Sequence, residues 1–547
     1  MSGGTSVPRR LRINRPYALP TFHSGPPIVR LENAFARPFE NSVATARTCY
    51  SSKGVLRVGE VSGDGLPEEK RLEKVTQRDR IAASTYQAGH HTTLQHAHFQ
   101  FTIDQVSRQC LWSFLHSHPF YNSEQVSQRY VTVKPGRYAI PPMEGEALAE
   151  YRRICDGLVA DYQQLTELLT PVAAAEYFGR FPARRADPVK WRSSIQKKSQ
   201  EVARYVLPVA IHAYLYHTIS ALTLLRYHRV CDQFDAPLEQ RLLVGSMMEA
   251  VIAHDPLFER VVEDPIPLEE TPEFLAFTEF ADTRASGSAR AFRHEFDESL
   301  GGRTSKLVAW KQGQEELLAA SVREVLGLPR AALSDDAAIA RVLAPDQNPL
   351  LGQALRVGMH SKLSRCLQHV HYTFRKKLSH TADSQDQRHR MVPGSRPILA
   401  AHLDDEPDFV TPALVKLDVR AHDLFRAAME RAFAGRARLR ALGVSDEFAA
   451  YVLPNALAIR FTESGDLLSL HHKLIARLCY NSQEEIFAAS LDEAQQIALV
   501  DPRIGAQIGA PCVVRLRAGQ TPYCPEGDRY CGVPVWKLTL DQYTRTI

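Results

Sequence analysis

Four short patterns occur twice in this chain, in the same order and about 250 residues apart, which is the sequence signature of a tandem duplication. The offsets are 259, 258, 246 and 248 residues. The pairs are Gln128-Arg129-Tyr130 with Gln387-Arg388-His389, Pro135-Gly136 with Pro393-Gly394, 203–208 with 449–454, and 229–231 with 477–479. Four patterns in one order predict two diverged copies of one domain.

The duplication fits the length, because 547 residues are too many for one hydrophobic core. Small residues between 283 and 302 favour a junction there. We expect an N-terminal extension over residues 1–28, a first repeat over 29–290, and a second repeat over 300–547 that ends in a cysteine-containing tail.

Composition excludes several functional classes. A net charge of +4 is too small for a nucleic-acid coat, although it suits local capture of an anionic small molecule. No stretch approaches 18 apolar residues, and the first residues lack the apolar core of a secretion signal, so we expect neither a membrane span nor export. Nine scattered cysteines favour the reducing cytoplasm.

Helices alternate with short strands in the sequence pattern, so the predicted fold class is α+β. Periodicity and end signals predict helices over 74–87, with Gly89 at the end, over 106–115, over 146–169, at 445–453 with Ser445 as cap, and over 467–498. Alternation predicts strands over 98–104 and 456–462.

Two polar stretches, 118–130 and 380–390, are too rich in hydrogen-bonding side chains for core elements. Each places an arginine after acids, amides and hydroxyls. An arginine fork among such groups is typical of an anion-binding loop, because it can bond carboxylate or phosphate oxygens in pairs. The two stretches therefore predict two related anion sites.

Several motifs resemble the flavin-dependent thymidylate synthases. They are 46–50, the histidine-rich 90–99, the run Tyr121 to Tyr130 with its Glu-Gln-Val-Ser-Gln-Arg-Tyr ending, and, in the second repeat, 452–461 with Arg477 and 483–486. The sequence departs from the family at Ser117-His118-Pro119, where the family has Arg-His-Arg, and at Thr93 and Gln95, where it has proline and an acid.

The resemblance implies an enzyme that methylates dUMP to dTMP in an FAD-dependent reaction, with carbon from methylenetetrahydrofolate and reducing equivalents from NADPH through FAD. By family position, Arg477 is the catalytic candidate, because an arginine can stabilise negative charge on the pyrimidine ring. The implied nucleotide-binding residues are Glu124, Gln125, Ser127, Gln128, Arg129, Arg460 and Arg477. The implied cofactor-binding residues are His90, Thr92, Gln95, His96, His118, Asn122 and His472.

The family's homotetramer, with sites shared between subunits, implies that two double-length chains form a pseudo-tetramer. The first repeat has the better loop and the second the better arginines, and Tyr214 stands where Arg460 has its match. We therefore expect one working site per chain, and a weak or structural second site around Gln385 to Arg388 with Arg229.

Alternatives remain at this level. A related flavoenzyme could modify another pyrimidine nucleotide, or a homologue could bind nucleotide without catalysis. A thiolate mechanism has no support, since Pro511-Cys512 continues with Val513. Cys512, Cys524 and Cys531 could bind zinc with Cys479, but free thiols and no metal are the preferred interpretation. The likeness of 94–99 to 367–372, at offset 273, stays unresolved.

Overall fold

The computed structural model describes residues 19–285 and 287–545, so residues 1–18 of the N-terminal extension lie outside it. The strands are β1 Ile28–Ala34, β2 His98–Ser107, β3 Asn122–Gln125, β4 His212–Ser220, β5 Ser305–Trp310, β6 His371–Ser379, β7 Gly394–Ser395 and β8 Ala458–Asp466. They form two antiparallel four-stranded sheets, ordered β1-β2-β4-β3 and β5-β6-β8-β7.

Helices cover both sheets, which confirms the α+β class and its two copies. Up to the junction they are α1 Pro38–Thr48, α2 Val58–Ser62, α3 Glu68–Gln87, α4 Arg108–His116, α5 Gly145–Arg180, α6 Pro188–Ala203, α7 Ala221–Arg229, α8 Pro237–His254, α9 Pro272–Glu279 and α10 Ala281–Ala285. Beyond it they are α11 Ser288–Leu300, α12 Gln314–Leu326, α13 Asp335–Leu343, α14 His380–Asp386, α15 Leu399–His402, α16 Val419–Ala441, α17 Asp446–Ala450, α18 Leu467–Arg477, α19 Glu484–Val500, α20 Pro502–Gly505 and α21 Pro511–Arg517.

Four strands run directly into helices, and this junction positions the site. The capping side chains at the starts of α4, α7, α14 and α18 belong to the last residues of the preceding strands: Ser107, Ser220, Ser379 and Asp466. Each accepts a hydrogen bond from a backbone N–H in the first helical turn, which satisfies one donor that the helix leaves open. A short polar residue after a β-strand therefore fixes where each helix begins.

The sheet register fixes how the repeats correspond. His98 lies opposite Ser220 as His371 lies opposite Asp466, so offset 273 relates β2 to β6 and offset 246 relates β4 to β8. The likeness of 94–99 to 367–372 is therefore a true repeat pair, and the pairing of 203–208 with 449–454 is confirmed.

Three other sequence pairings were wrong in register. Arg388 lies nine positions after the capping Ser379, and the residue nine positions after Ser107 is His116, not Arg129. The offsets of 259 and 258 therefore do not relate matching positions. Counting from the caps of α7 and α18, Arg477 corresponds to Cys231, so the pairing with Arg229 is two residues off.

The repeats meet at a pseudo-two-fold contact. The N–H of Val209 donates to Leu453 O and that of Asn455 to Leu207 O, both at 2.8 Å, and each bond becomes the other when 246 is added or subtracted. The long helices α5 and α16 pack against each other beside this contact. Residues of both repeats share one hydrophobic core there, which is the self-complementary interface expected of a duplicated dimer.

Most predicted elements are confirmed, with two corrections. The predicted helix over 467–498 is two helices, α18 and α19, separated by 478–483, because the side chain of Gln483 caps a new helix by accepting from Ile486 N. The polar stretch 380–390 is not a loop throughout: α14 is mostly buried, since Asp383 and Asp386 find charged partners inside the protein.

Candidate functional site

Five arginines from both repeats form one group where the halves meet. Arg108 begins α4, and Arg388 follows α14. Arg477 ends α18. The group is completed by Arg129, after β3, and Arg204, after α6. Neighbouring members lower one another's pKa, which places their charges close together. We call these five residues the anion site.

Arg108 shows most clearly that the anion site lacks counter-charge. Its guanidinium is buried and donates to Gln125 Oε1 and Val126 O, both at 2.7 Å, while its Nε has no partner. Burial, then Arg204 and Arg388, lower its pKa to about 9. A buried arginine bonded only to neutral oxygens is costly unless an anion binds beside it.

Arg477 and Arg388 form the second-repeat side of the anion site. Arg477 donates from Nε to His389 Nε2 at 2.8 Å and from Nη2 to Gln385 O at 2.9 Å. Burial is the main cause that lowers the pKa of Arg477 to about 10, with Asp386 opposing it and Arg388 acting in the same direction as burial. The exposed guanidinium of Arg388 has no hydrogen-bond or ion-pair partner among the described residues. It is therefore free to bind a ligand.

Arg129 and Arg204 form the first-repeat side, and both bond to Glu201, one to its carboxylate and the other to its backbone carbonyl. Arg129 pairs with Glu201 at 2.9 Å and donates to Asn481 O at 2.8 Å. Arg204 donates to Glu201 O, while its buried Nη2 has no partner. Burial raises the pKa of Glu201, but Arg129 and other cations lower it to about 2, so this carboxylate stays ionised.

The predicted loop residues lie around these arginines in different roles. Ser127 Oγ accepts from Arg129 N, and buried Gln128 accepts from Asn455 Nδ2 across the repeat contact. Gln125 holds Arg108, whereas Glu124 is exposed on β3. The loop thus shapes the site through Gln125, Ser127 and Gln128, and Glu124 lies at its edge.

Arg460 is the clearest correction to the predicted phosphate ligands. Its side chain is 1% exposed and pairs with Asp297 at 2.7 Å and with Asp408. Hydrogen bonds to Asp297 and Asp408 outweigh burial and raise its pKa. Two carboxylates already bind the guanidinium, so Arg460 forms a structural ion pair that joins β8 to α11.

The predicted cofactor residues fall into separate places. The first is the segment that carries His90, Thr92, Gln95 and His96. It packs against α1 and α7, and the small cavity beside it contains no arginine. Within one chain it is not part of the anion site. Its role in a site shared between two chains stays a prediction.

The other three predicted cofactor residues, His118, Asn122 and His472, have different neighbours. Asn122 accepts from Arg390 at 3.0 Å. His118 packs against Tyr227, and burial lowers its pKa to about 4, so it is neutral at pH 7. His472 packs edge-on against His389, with ring centroids 5.9 Å apart, and accepts from Arg356. His389 therefore connects Arg477 with His472.

A cavity of about 200 Å³ lies beside His472. Its wall contains His471 and Arg356 as well as apolar side chains of Met359, Leu367 and Ile475. The Nε2 of buried His471 has no partner. The segment Ser364–His369, the second-repeat match of the 90–96 segment, packs against α18 here. Of the two copies of this segment, the one that adjoins α18 in one chain is thus the second-repeat copy.

The structure does not bring the residues of the predicted second site together in the part of the chain that it describes. Arg388 belongs to the anion site and Gln385 O accepts from Arg477, whereas Arg229 lies at the surface with Glu263 at 3.1 Å and Asp264 O as partners.

Sequence reasoning missed Arg108, Arg204, Arg388 and His389 as members of the working site. The signal was present for the last two: Arg388-His389-Arg390 is the Arg-His-Arg that the first repeat lacks. The sequence pairing of 387–389 with 128–130 leaves this motif without an assigned role. Nothing local marked Arg108 or Arg204, whose importance comes from burial.

Cys479, Cys512, Cys524 and Cys531 line one small cavity as free thiols. Burial raises the pKa of Cys479 to about 12 and of Cys512 to about 11. Across residues 19–285 and 287–545, no three histidine, cysteine or acidic side chains are arranged to hold a metal ion. Among the same residues, no helix is both long and apolar enough to cross a membrane.

The fold and site define a duplicated α+β protein with an arginine cluster built from both halves. The family model "Thymidylate synthase complementing protein" matches residues 30–257 and 306–503, most of the chain, and the chain belongs to this family. It is similar to proteins named flavin-dependent thymidylate synthase from Clostridium tetani, Sulfurisphaera tokodaii and Geobacter sulfurreducens.

The Clostridium protein is 28% identical over 225 residues, which cover 41% of this chain and 81% of the relative. For the Sulfurisphaera protein the values are 28% over 151 residues, 27% of this chain and 58% of the relative. For the Geobacter protein they are 27% over 195 residues, 35% and 79%. Matches shorter than half of this chain agree with relatives of single-repeat length.

Proposed function

We propose that this chain is a flavin-dependent thymidylate synthase that methylates dUMP to dTMP, with methylenetetrahydrofolate as carbon donor and NADPH as reductant through FAD. The observation that carries the proposal is the anion site. Five arginines, of which only Arg129 has an ion-pair partner among the described residues, would bind a dianionic phosphate and a ring that gains negative charge. We place one such site in each chain and infer a homodimer in the cytoplasm.

Arg204 and Arg388 would hold the phosphate, because each keeps donor groups without a protein partner. Ser127 and Arg129 would complete this part of the site. Arg477, held by His389 and Gln385, would face the pyrimidine and stabilise negative charge on it, which makes C5 more nucleophilic. Arg108 would hold the loop in shape through Gln125 and Val126 O.

The residues around His472 fit a flat, anionic cofactor, because Arg356, His472 and the unpartnered His471 Nε2 surround an otherwise apolar cavity. A bound flavin would supply hydride chemistry that amino-acid side chains lack. His389 would orient Arg477 toward the nucleotide and His472 toward the cofactor. Neutral His389 suits this role, since burial and then Arg477 lower its pKa to about 2.

The test is a visible absorption spectrum of the purified chain, followed by dUMP-dependent NADPH oxidation with dTMP measured as product. Arg388→Ala is the sharpest variant, because this side chain has no partner whose loss would disturb folding. We expect a 10- to 100-fold loss of kcat/KM, as for a charged hydrogen bond to a ligand. Arg229→Ala, at the surface, is the matched control.

Each alternative gives a different result. Flavin and dUMP binding without dTMP would support a related enzyme that modifies another pyrimidine nucleotide. Failure to bind either would support a homologue without this catalysis. Full activity of Arg388→Ala would contradict the placement of the site.

A further inference from the structure

A separate cavity of about 220 Å³ has Arg129 in its wall but none of the other four arginines of the anion site. It is bounded by the end of α5, one face of α6 and the C-terminal segment 526–545. We call it the annex. Because Arg129 belongs to both, the annex adjoins the proposed nucleotide site.

The annex carries a strong excess of positive charge. Its wall contains seven lysine and arginine side chains and two glutamates, Glu201 and Glu526. Glu201 is neutralised by Arg129. Lys197 and Lys198 have no hydrogen-bond or ion-pair partner in the part of the chain that the structure describes. Clustered cations without acids raise the local concentration of anions.

Aromatic rings form the rest of the annex wall. The Arg184 guanidinium lies 4.2 Å from the ring centroid of Trp191 and 4.3 Å from that of Phe181. Arg180 lies 6.0 Å from Tyr480, and Tyr130 has Arg129 at 5.5 Å and Arg529 at 5.7 Å. Stacked guanidinium and aromatic planes offer flat faces together with N–H donors, a surface suited to planar anions.

The elements that form the annex have no full match in the described part of the second repeat. Its helices are longer than their second-repeat matches: α5 has 36 residues and α16 has 23, while α6 has 16 and α17 has 5. The segment 526–545 follows the second repeat and has no first-repeat match. These additions meet only beside Arg129, in the half of the molecule that contains the anion site.

We propose that the annex binds a planar heteroaromatic ligand with two or more negative charges, next to the nucleotide. Reduced folates, whose glutamate carries carboxylates, and pyridine dinucleotides, which carry phosphates, share this chemistry. The choice of these two sources rests on the proposed function. The annex therefore receives one of the two cosubstrates of the proposed reaction.

Calorimetric titration of the full chain as purified, with dUMP present, tests the annex with 5-formyltetrahydrofolate in one arm and NADPH in the other. We expect one probe to bind with one site per chain. Lys198→Met and Lys197→Glu should each weaken it tenfold or more. Arg192→Glu, on an exposed part of α6 outside the annex wall, makes the same charge change as Lys197→Glu and should bind as the wild type does.

The proposal is overturned if neither probe binds, if both annex variants keep wild-type affinity, or if Arg192→Glu weakens binding as much as they do. Circular dichroism of each variant establishes that it is folded. A dUMP titration of the same preparations separates the two proposals. Wild-type protein that fails to bind dUMP contradicts the proposed function, whereas protein that binds dUMP and neither probe contradicts the annex alone.

Discussion

At matched positions of the two halves, the anion site has arginines where its counterpart has none. The pairs are Arg108 with His380, Arg129 with Ala400, Arg204 with Ala450, Arg388 with His116, and Arg477 with Cys231. We call the five matching residues and their surroundings the counterpart. Its charged groups are already paired within the protein: Trp112 donates to Asp383 at 2.8 Å, and Arg396 pairs with the same carboxylate at 2.7 Å. The anion site leaves cations free for a ligand, whereas the charged groups of the counterpart are paired within the protein.

The sheets differ in the same way beneath these two places. In the second repeat, Lys376 and Lys473 are buried with Asp386, Glu463 and Glu493 and pair with them, for example at 2.6 Å and 2.9 Å. The matching first-repeat residues are Ile103, Tyr227, Phe114, His217 and Met247. There Phe114 stacks on Tyr227 with centroids 4.4 Å apart.

These differences indicate that the two copies supply different residues to the anion site. The ion cluster joins α14 to α18, the helices beside which Arg388 and Arg477 lie, so the second repeat holds in place the backbone that carries these two arginines. The first repeat supplies the loop and Arg129. Neither repeat contains all five arginines of the anion site.

The most decisive way to break the comparison is to count nucleotide sites. We expect dUMP to bind with one site per chain, because none of the five matching positions of the counterpart carries an arginine to receive phosphate. Titration of protein of known active concentration measures the stoichiometry. Two equal sites per chain would contradict the assignment of the counterpart.

Lys473→Met tests the two buried clusters through stability. It removes one of two lysines that neutralise three buried acids, so we expect the free energy of unfolding to fall by about 3–5 kcal/mol. Tyr227→Phe, at the matched first-repeat position, should cost only about 1 kcal/mol. Chemical denaturation measures both. Equal losses would show that the ionic cluster has no special role.

Arg477→Ala tests the division of catalytic residues. Loss of the guanidinium that stabilises charge should lower kcat about 10²- to 10³-fold while bound flavin stays in place. Cys231→Ala, the matched position in the counterpart, should leave kcat unchanged. The two rates come from one assay of dTMP formation, and near wild-type activity of Arg477→Ala would refute its role.

Arg204→Ala tests a residue that only the structure identified. Removing a donor to phosphate should weaken dUMP binding about 10- to 100-fold. Arg204→Lys keeps the charge but not the planar fork, so we expect partial recovery. Binding of dUMP by Arg204→Ala at wild-type affinity would exclude it from the phosphate site.

The smallest expected effect is the pH dependence of the affinity with which the annex binds an anionic probe. Burial and then Arg545 lower the pKa of Lys198 to about 8, Arg129 acts in the same direction, and Glu201 and Cys479 oppose them. Lys198 is therefore charged below pH 8 and loses its proton above it. Affinity for an anionic probe should fall about tenfold between pH 7 and 9. In Lys198→Met the profile should be flatter, and an unchanged profile would exclude Lys198 as the titrating group.

Local signals predicted the elements well. Gly89, with φ of 76°, ends α3 as expected, and Ser445 caps α17. The site was harder, because its roles depend on pairing. The sequence predicts Arg460 as a ligand and gives no sign of Arg204, but two aspartates bind Arg460, whereas Arg204 keeps a buried donor open.

The sequence by itself determined the duplication, the α+β class and the family, because these follow from periodicity, capping residues and short motifs. Only the tertiary structure decided the register of the repeats and the membership of the site. Register depends on which residues face each other across β2–β4 and β6–β8. Membership of the site depends on which arginines keep donor groups without a protein partner. Contacts between residues hundreds of positions apart decide this.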